Sequence, residues 1–433
     1  MTEETLLVLL AGEVVGEVRR AQGGVLRFEY EEKWRASQRG IPLSLSMPLA
    51  RREHGHEAIE AFLQGLLPDD PDVLRSWGRR FQVSPANTFG MLEAIGEDCA
   101  GAVQLVREDR LDAVLSSEAW DVEWLDEAGI ETRLRALERD RSAWRSTGDR
   151  GQFSLAGAQS KTALLHEDGR WGVPAGRAPT THILKPPIPG LDGHVENEHL
   201  CLSLARELGL PAARSSVRRF GEKVAIVVER FDRARSTGFP PIVRIHQEDF
   251  CQALGYPPSR KYQNEGGPSP ADAVRLLRAN SSLPVEDVET FVGALAFNWL
   301  VAGTDAHAKN YSLLFGGGGR IRLAPLYDLA SALPYDDMDP QRLRSAMKIG
   351  GKYRLRDISR RQWVKLAAEL RLGVDEVLAG VESMAGRMPD AMSAVRDRTS
   401  GKTLGEPVVA HLSDRITARA QDCLRLLRLG SGS

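Results

Sequence analysis

Val288, Phe291, Val292, Leu295 and Trp299 recur at helical spacing and run into Asn298-Trp-Leu-Val-Ala-Gly-Thr-Asp-Ala-His-Ala-Lys-Asn310. An apolar stripe of this kind has to be buried against a core. Directly after it the chain turns polar, with Gly303 as the expected helix stop. The chain must therefore fold so that a short polar loop sits on the end of a buried helix. Loops held by rigid elements are where reactive side chains concentrate.

Asp305 stands five residues before Asn310 in that loop. Phosphoryl transfer calls for such a pair: a carboxylate orients the attacking hydroxyl and accepts its proton, and an amide oxygen helps to hold magnesium. The D-x-x-x-x-N spacing is also that of the protein-kinase catalytic loop. Downstream, Ala324-Pro-Leu-Tyr-Asp-Leu329 offers a second carboxylate, Asp328, after a strand-like run, where it could hold the metal against nucleotide phosphates. A lone Asp at a helix end does no more than solvate a turn; the set of two acids and an amide points to kinase chemistry.

The 433 residues suffice for two or three compact units. A hydrophobic fraction of 42% and a charged fraction of 27% fit a globular protein. Lys plus Arg number 57 against 59 Asp plus Glu, which argues against a whole-chain nucleic-acid binder. The arginines between Arg206 and Arg235 read as a solvated face. Cys99, Cys201, Cys251 and Cys423 form no C-x-x-C pair, and neither a zinc knuckle nor a disulfide framework is expected. The acidic start, Met-Thr-Glu-Glu, is unlike a signal peptide, and no apolar run has the length of a membrane span. A cytoplasmic protein without membrane contact is expected. The closing Gly-Ser-Gly-Ser carries no weight in this reading.

Short strands are predicted over 6–10, 13–18 and 25–30, helices over 57–67 and 71–80, and a strand over 101–106 that closes a first unit near residue 107. Residues 110–147 read as mostly helical or irregular. Strands follow over 161–165, 171–173, 181–185 and 224–229, with one main helix over 196–208. Beyond 246 the chain turns helical, with helices over 271–278, 362–370, 374–387 and 413–429. Gly316 to Gly319 read as a hairpin tip.

Gly151-Gln-Phe-Ser-Leu-Ala-Gly-Ala-Gln-Ser-Lys-Thr-Ala163 is the candidate phosphate cradle, because Gly157 allows close backbone approach and small neighbours leave N–H groups accessible. Gly157 to Thr162 superficially resembles a Walker A loop. Ser160 stands where that loop has its glycine, and strand–turn–strand follows, so a P-loop NTPase is not expected. Ser154 is either a hydroxyl acceptor or a turn serine. Lys185 ends a strand and is either a phosphate ligand or an exposed strand-end lysine. Glu196, Glu198 or neither could hold its ammonium. Glu229-Arg-Phe-Asp-Arg233 is either an adenine-contacting hinge or a salt-bridged strand end. His194 and His199, five apart, do not share a helix face, and no metal is expected there.

Taken in order, Ser154–Ala163, His182-Ile-Leu-Lys185, Glu196-Asn-Glu-His199, Glu229–Arg233, Thr304–Asn310 and Tyr327-Asp328 resemble the HipA family of bacterial serine/threonine-protein kinases, toxins of type II toxin–antitoxin systems. Val15-Gly-Glu-Val18 and Pro42-Leu-Ser-Leu-Ser-Met-Pro48 resemble that family's first subdomain. The resemblance implies that Asp305 is the general base toward a protein Ser or Thr hydroxyl, and that Asn310 and Asp328 hold Mg²⁺. It implies that Lys185 pairs with ATP phosphates, under a loop of Ala156, Gly157, Ala158, Gln159, Ser160 and Lys161. Glu229, Arg230 and Phe231 would contact adenine; His307, Ala308, Lys309, Asn310 and Tyr327 would lie near the nucleotide. Ser154 matches the family's autophosphorylated loop serine. The implied partners are a HipB-like helix-turn-helix antitoxin, DNA reached through it, and a protein substrate in translation such as glutamyl-tRNA synthetase. Ala306 and Ala308 depart from residues common in the family.

The expected fold is therefore α/β (α+β): a two-lobed, protein-kinase-like chain with an N-terminal β-rich subdomain (1–107), a nucleotide-binding N-lobe (108–245) and a mostly helical C-lobe (246–430) bearing the catalytic loop. Two other readings use the same residues: a small-molecule or lipid kinase of similar design, and a catalytically silent corepressor acting with a DNA-binding partner.

Overall fold

The computed structural model describes residues 4–116, 120–144, 153–335, 337–399 and 406–429. Gly151 and Gln152 of the cradle and the closing Gly-Ser-Gly-Ser lie outside the described residues. The fold is mixed α/β and divides into two compact units: Met1–Pro186 with Phe220–Ser259 and Ser312–Ile321, and Pro187–Arg219 with Arg260–Tyr311 and Arg322–Ser433.

The first unit is strand-rich. Strands β1 (Glu4–Leu10), β2 (Glu13–Arg20), β3 (Leu26–Tyr30), β4 (Glu53–His54) and β5 (Val103–Val106) form an antiparallel sheet in the order β4-β3-β2-β1-β5. The register of β1 on β2 shifts between Val8 and Leu9. By strand alternation β1 feeds two cores, Leu6, Val8 and Leu10 into one and Leu9 into another with Val106 and Val114. Helices α1 (His56–Gly65), α2 (Pro71–Phe81) and α3 (Thr88–Ile95) supply Ile59, Phe62, Trp77, Phe89 and Leu92 to the larger core, which also takes Trp144, Phe153 and Ala163. Helix α3 is capped by Asn87, whose side chain accepts from the Gly90 N–H.

Five further strands are β6 (Trp120–Leu125), β7 (Thr162–Glu167), β8 (Arg170–Gly176), β9 (His182–Lys185) and β10 (Lys223–Glu229), which run side by side as β10-β9-β7-β8-β6, with helix α4 (Glu127–Arg139) following β6. β6 falls where a helical or irregular stretch was predicted. Its Trp120-Asp-Val-Glu-Trp-Leu125 alternates on an edge strand paired with β8, and the flanking charges hide that period.

The Pro42–Pro48 segment is held onto β11 (His246–Asp249). Tyr30 Oη donates to the Met47 carbonyl (2.6 Å) and accepts from the Leu43 N–H (2.7 Å). Glu248, 1% exposed, takes the Ser44 hydroxyl at 2.6 Å and the Leu45 N–H at 2.9 Å. β11 pairs antiparallel with β12 (Ser312–Phe315).

The second unit is mostly helical, with α5 (His194–Glu207), α7 (Pro270–Asn280), α8 (Pro284–Val301), α9 (Arg360–Leu370), α10 (Val374–Thr399) and α11 (Glu406–Arg428); α6 (Phe250–Leu254) belongs to the first unit. α8 is buried on nearly every side, not along a stripe: Phe291, Ala294, Leu295, Phe297, Trp299 and Leu300 are all at most 2% exposed. Each large side chain so buried contributes about 1.5–3 kcal/mol. Trp299 packs edge-on against Trp363, with centroids 5.6 Å apart.

Two predicted boundaries move. α8 stops on Ala302, which takes the left-handed conformation (φ 54), and not on Gly303. Gly303 is required for space: a Cβ there would lie 2.2 Å from Asn298 Oδ1. α10 continues past the expected end at Arg387, through Pro389. The lost backbone bond and ring clash cost about 3 kcal/mol, offset by Ala385, Met388, Met392 and Val395, which are buried on both sides of the proline. Among the described residues no helix is long and apolar enough to cross a membrane.

Candidate active site

The polar loop after α8 is tied down from several directions within the second unit. The Asp305 carbonyl accepts from the His307 N–H (2.8 Å) and from Asn310 Nδ2 (2.8 Å). The Asn310 N–H reaches the His307 carbonyl at 2.9 Å, and the Ala308 N–H reaches that of Lys261 at 3.2 Å. With its Nδ2 committed to a carbonyl, the Asn310 amide must turn its oxygen the opposite way, the atom a hard cation would take. The Asp305 carboxylate stays 65% exposed, and its Oδ1 accepts from Tyr262 Oη at 2.5 Å. The second oxygen is left to face a hydroxyl. The side chains of His307 and Lys309 are buried, and Tyr262 stacks edge-on against the His307 ring at 4.9 Å.

The segment bearing Asp328 is knitted to the same loop. Tyr327 Oη donates to the Lys309 carbonyl (2.6 Å), and the Ala332 N–H donates to the Ala302 carbonyl (3.1 Å). Gly303 lies so close to Ala330 that a Cβ would meet its carbonyl oxygen at 3.4 Å. Asp328 is exposed and takes a left-handed backbone conformation, φ 57. For a residue other than glycine that costs about 1–2 kcal/mol and persists only where the surroundings impose it.

Asn197 imposes much of it. Wholly buried on α5, it donates from Nδ2 to the Ser331 carbonyl (2.7 Å) and accepts at Oδ1 from the Ser331 N–H (2.9 Å). This bidentate clamp fixes the backbone three residues beyond Asp328. Within Glu196-Asn-Glu-His199 nothing in sequence marks Asn197 for this part, and nothing marks Tyr262. A buried-amide clamp has no spacing signature; the only clue was a polar residue on the apolar side of α5. Glu198 is 1% exposed and Glu196 half-buried.

In the first unit, Lys185 closes β9 opposite Ile226 and is 7% exposed, so it is not the exposed strand-end lysine. The loop before β7 is docked on the end of α1. The Ser154 N–H donates to the Asp98 carbonyl (3.0 Å), and its hydroxyl to the Leu66 carbonyl (2.6 Å). Gly157 has φ +99, and its carbonyl accepts from the Asp69 N–H at 3.2 Å. A Cβ on Gly157 would meet Lys161 Nζ at 2.7 Å. Lys161 Nζ donates to the Ala156 carbonyl (2.7 Å), and Arg141 to that of Ala158 (2.9 Å). With those three carbonyls taken by donors, Gln159 Nε2 is a buried donor with no acceptor among the described residues. A glycine cradle, a lysine and an orphaned donor together fit an anionic ligand such as nucleotide phosphate. Ser154 is 0% exposed, so it is not presented as an acceptor while the loop is docked.

At the end of β10, Glu229 is exposed and Phe231 half-buried. The Arg230 side chain faces inward, 3% exposed, and bonds Asp232 (2.9 and 2.7 Å), Thr180 Oγ1 (2.8 Å) and the Cys99 carbonyl (2.9 Å). Only its backbone is left to touch a nucleotide. The hub also contains Arg233 and Arg244, which converge on Asp98 at 2.9 and 3.0 Å. Burial works to raise the Asp98 carboxyl, but Arg233, Arg244 and Arg230 outweigh it and hold Asp98 far below the usual carboxylate range. Burial and repulsion from Arg230 push Arg233 down to about 10.

The family models that match this chain are the HipA N-terminal domain over residues 6–106 and the HipA-like C-terminal domain over 153–392. A Sinorhizobium fredii protein named "Putative kinase Y4mE" is 37% identical, covering 97% of this chain and 99% of that one. The serine/threonine-protein kinase toxin HipA of Shewanella oneidensis is 29% identical, over 90% of this chain and 89% of its own. The solved complex of Shewanella oneidensis HipA, HipB and operator DNA contains a chain that superposes with a TM-score of 0.83 at 28% identity, covering 97% of this chain and 98% of that one.

Proposed function

The chain belongs to the HipA family, and from that premise we propose that it is a serine/threonine-protein kinase that uses Mg²⁺ and ATP. The observation that carries the reading is the frame joining Asp305, Asn310 and the left-handed Asp328. In this reading Asp305 receives the proton of the acceptor hydroxyl through the oxygen not held by Tyr262, while Tyr262 keeps the carboxylate from rotating. The Asn310 oxygen and the Asp328 carboxylate hold Mg²⁺. Lys185, Gln159 and the Ala156–Lys161 loop hold phosphate oxygens, and the strand end Glu229–Phe231 holds adenine. ATP and its metal supply the γ-phosphoryl group and offset the charge that develops on it.

The buried hydroxyl of Ser154 gives autophosphorylation a physical consequence. Modification requires the Phe153–Ala158 segment to leave the Asp98 and Leu66 carbonyls, and a dianion on Ser154 could not return to a site walled by carbonyl oxygens. Phosphorylated chains should lose the docked cradle and hence ATP binding. A HipB-like antitoxin, with DNA reached through it, is the partner this reading adopts from the HipA–HipB–DNA relative, in keeping with balanced charge on the chain. Its protein substrate is placed in translation, an aminoacyl-tRNA synthetase being the class the family suggests.

The test is transfer of labelled phosphate from Mg·ATP to cell-extract protein, with phosphosites mapped by mass spectrometry. Asp305→Asn should reduce transfer about 10²–10⁴-fold without moving the melting temperature, since the side chain is exposed. Label on small alcohols or lipid alone, or equal transfer by wild type and Asp305→Asn, would remove the proposal. Ser154→Ala should stay active after preincubation with ATP while wild type declines.

A further inference from the structure

The candidate active site leaves unexplained the His199 end of α5. His199, Ser203 and Arg206 follow one another at helical spacing and, with Ser215, Ser216 and Arg398, line a concave cavity of about 470 Å³ wholly within the second unit. Arg206 is half-buried and donates to the Ala213 carbonyl and to Ser203 Oγ (2.9 Å). Among the described residues no carboxylate pairs with it. Burial lowers its affinity for a proton, and so do Arg214 and Arg398 nearby. The one acid on the cavity wall, Glu207, pairs with Arg398 at the solvent-facing rim, where their side chains are 31% and 61% exposed. Two guanidiniums, Arg206 and Arg398, thus line the cavity against one carboxylate, which Arg398 already holds, and Arg214 adds positive charge nearby.

Desolvating an arginine among others of its sign is unfavourable unless an anion completes the arrangement. The remaining donors suit the same guest. Ser215 Oγ is bonded to His199 Nδ1 at 2.9 Å, and Ser203 and Ser216 add hydroxyls on the wall. Planar guanidinium forks and hydroxyl donors match phosphate oxygens. The volume is that of a small-molecule site. Arg206 lines the cavity half-buried and without a carboxylate partner among the described residues, which suits a terminal phosphate.

We propose that this cavity binds the terminal phosphate of a small phosphorylated molecule. It is separate from the residues assigned to phosphoryl transfer, and the proposal does not depend on that assignment. Neither Arg206 nor Arg398 belongs to the candidate kinase machinery, so phosphate binding at that machinery is common to wild type and variants and cancels in the comparison.

Calorimetric titration of the full chain with sodium pyrophosphate, with AMP and with a short DNA duplex tests it. Wild type should bind pyrophosphate saturably, and Arg398→Gln should weaken that binding about tenfold or more, with a larger loss for Arg206→Gln. AMP affected in the same way identifies a nucleotide as the source of the phosphate; pyrophosphate alone identifies a free anion. Arg398 is exposed enough to be replaced without unfolding the chain, so the test stands even where Arg206→Gln does not fold. Superimposable isotherms for wild type and Arg398→Gln, or a response confined to the duplex, would overturn the proposal.

Discussion

Glu248 and His246 sit two residues apart on β11, both nearly inaccessible and both bonded to the Leu43–Leu45 segment. Burial pushes Glu248 up to about 8 from an ordinary 4.5, and pushes His246 down to about 4 from 6.5. The folded state therefore carries an extra proton on Glu248 between about 4.5 and 8 and lacks one on His246 between about 4 and 6.5. The Glu248 contribution is whole below 4.5 and is lost as pH rises through 8. The His246 contribution is whole above 6.5 and is lost as pH falls through 4. From 4.5 to 6.5 the two slopes cancel, and above 6.5 only Glu248 titrates. Each pH unit with a one-proton difference is worth about 1.4 kcal/mol, so docking of the segment should weaken by about 2 kcal/mol between pH 6.5 and 8. Glu248→Gln mimics the protonated acid: its amide can donate to Ser44 Oγ and still accept from the Leu45 N–H. The variant should match wild type near pH 4.5, exceed it by about 3 kcal/mol at pH 6.5 and about 5 kcal/mol at pH 8.5, and show no slope from this site above 6.5. Hydrogen exchange at Leu45, corrected for intrinsic rates, reads the opening free energy directly. If the variant kept the wild-type slope above pH 6.5, buried protonation of Glu248 would be refuted.

Asn197→Ala should leave the N–H and carbonyl of Ser331 unpaired, lowering stability by about 2–4 kcal/mol; titrating Mg²⁺ in the phosphotransfer assay should show a raised metal requirement, whereas a purely structural loss would leave the metal dependence of the folded fraction unchanged. Asp98→Asn should cost about 3–5 kcal/mol in chemical denaturation, because it leaves Arg233 and Arg244 buried without their shared carboxylate. Gly303→Ala, forced against Asn298 Oδ1, should cost about 1–3 kcal/mol in thermal melting and lower phosphotransfer together, since the shift is passed to both loops that flank it.

Much of the first sheet and the long helices was legible because hydrophobic period alone specifies them: β1 to β3, α1, α2 and α8 fall within a few residues of their predicted spans. Failures arose where a local rule was overridden by packing. Pro389 marks a helix end in sequence, yet Met388 and Met392 anchor both sides of it in the core. Gly303 marks a helix stop by type, yet the left-handed position belongs to Ala302, and the glycine is needed for its missing side chain. Strand β6, a six-residue edge carrying Asp121 and Glu123, has too weak an apolar alternation to be told from a surface helix.

The site divides along a different line. The candidates Asp305 and Asn310 are legible by type and spacing because one contiguous loop carries both, and the candidate Gly157 by the small residues around it. What spacing does not carry is environment. Type and neighbours leave Ser154 as a hydroxyl acceptor or a turn serine, and Arg230 in an adenine hinge or a salt-bridged strand end; both side chains lie inside, one bonded to the end of α1 and the other salt-bridged in a five-membered ionic hub with Asp98. Arg230 finds Asp232 within its own motif, but Leu66 lies 88 positions from Ser154 and Asp98 lies 132 from Arg230, beyond any motif. For Ser154 that burial changes the meaning of the residue. An exposed loop serine would be modified as a matter of access, whereas a hydroxyl held by Leu66 can be reached only when its loop undocks. The loop's own docking free energy, set by its bonds to Asp98, Leu66 and Asp69, then limits how often the proposed autophosphorylation could occur.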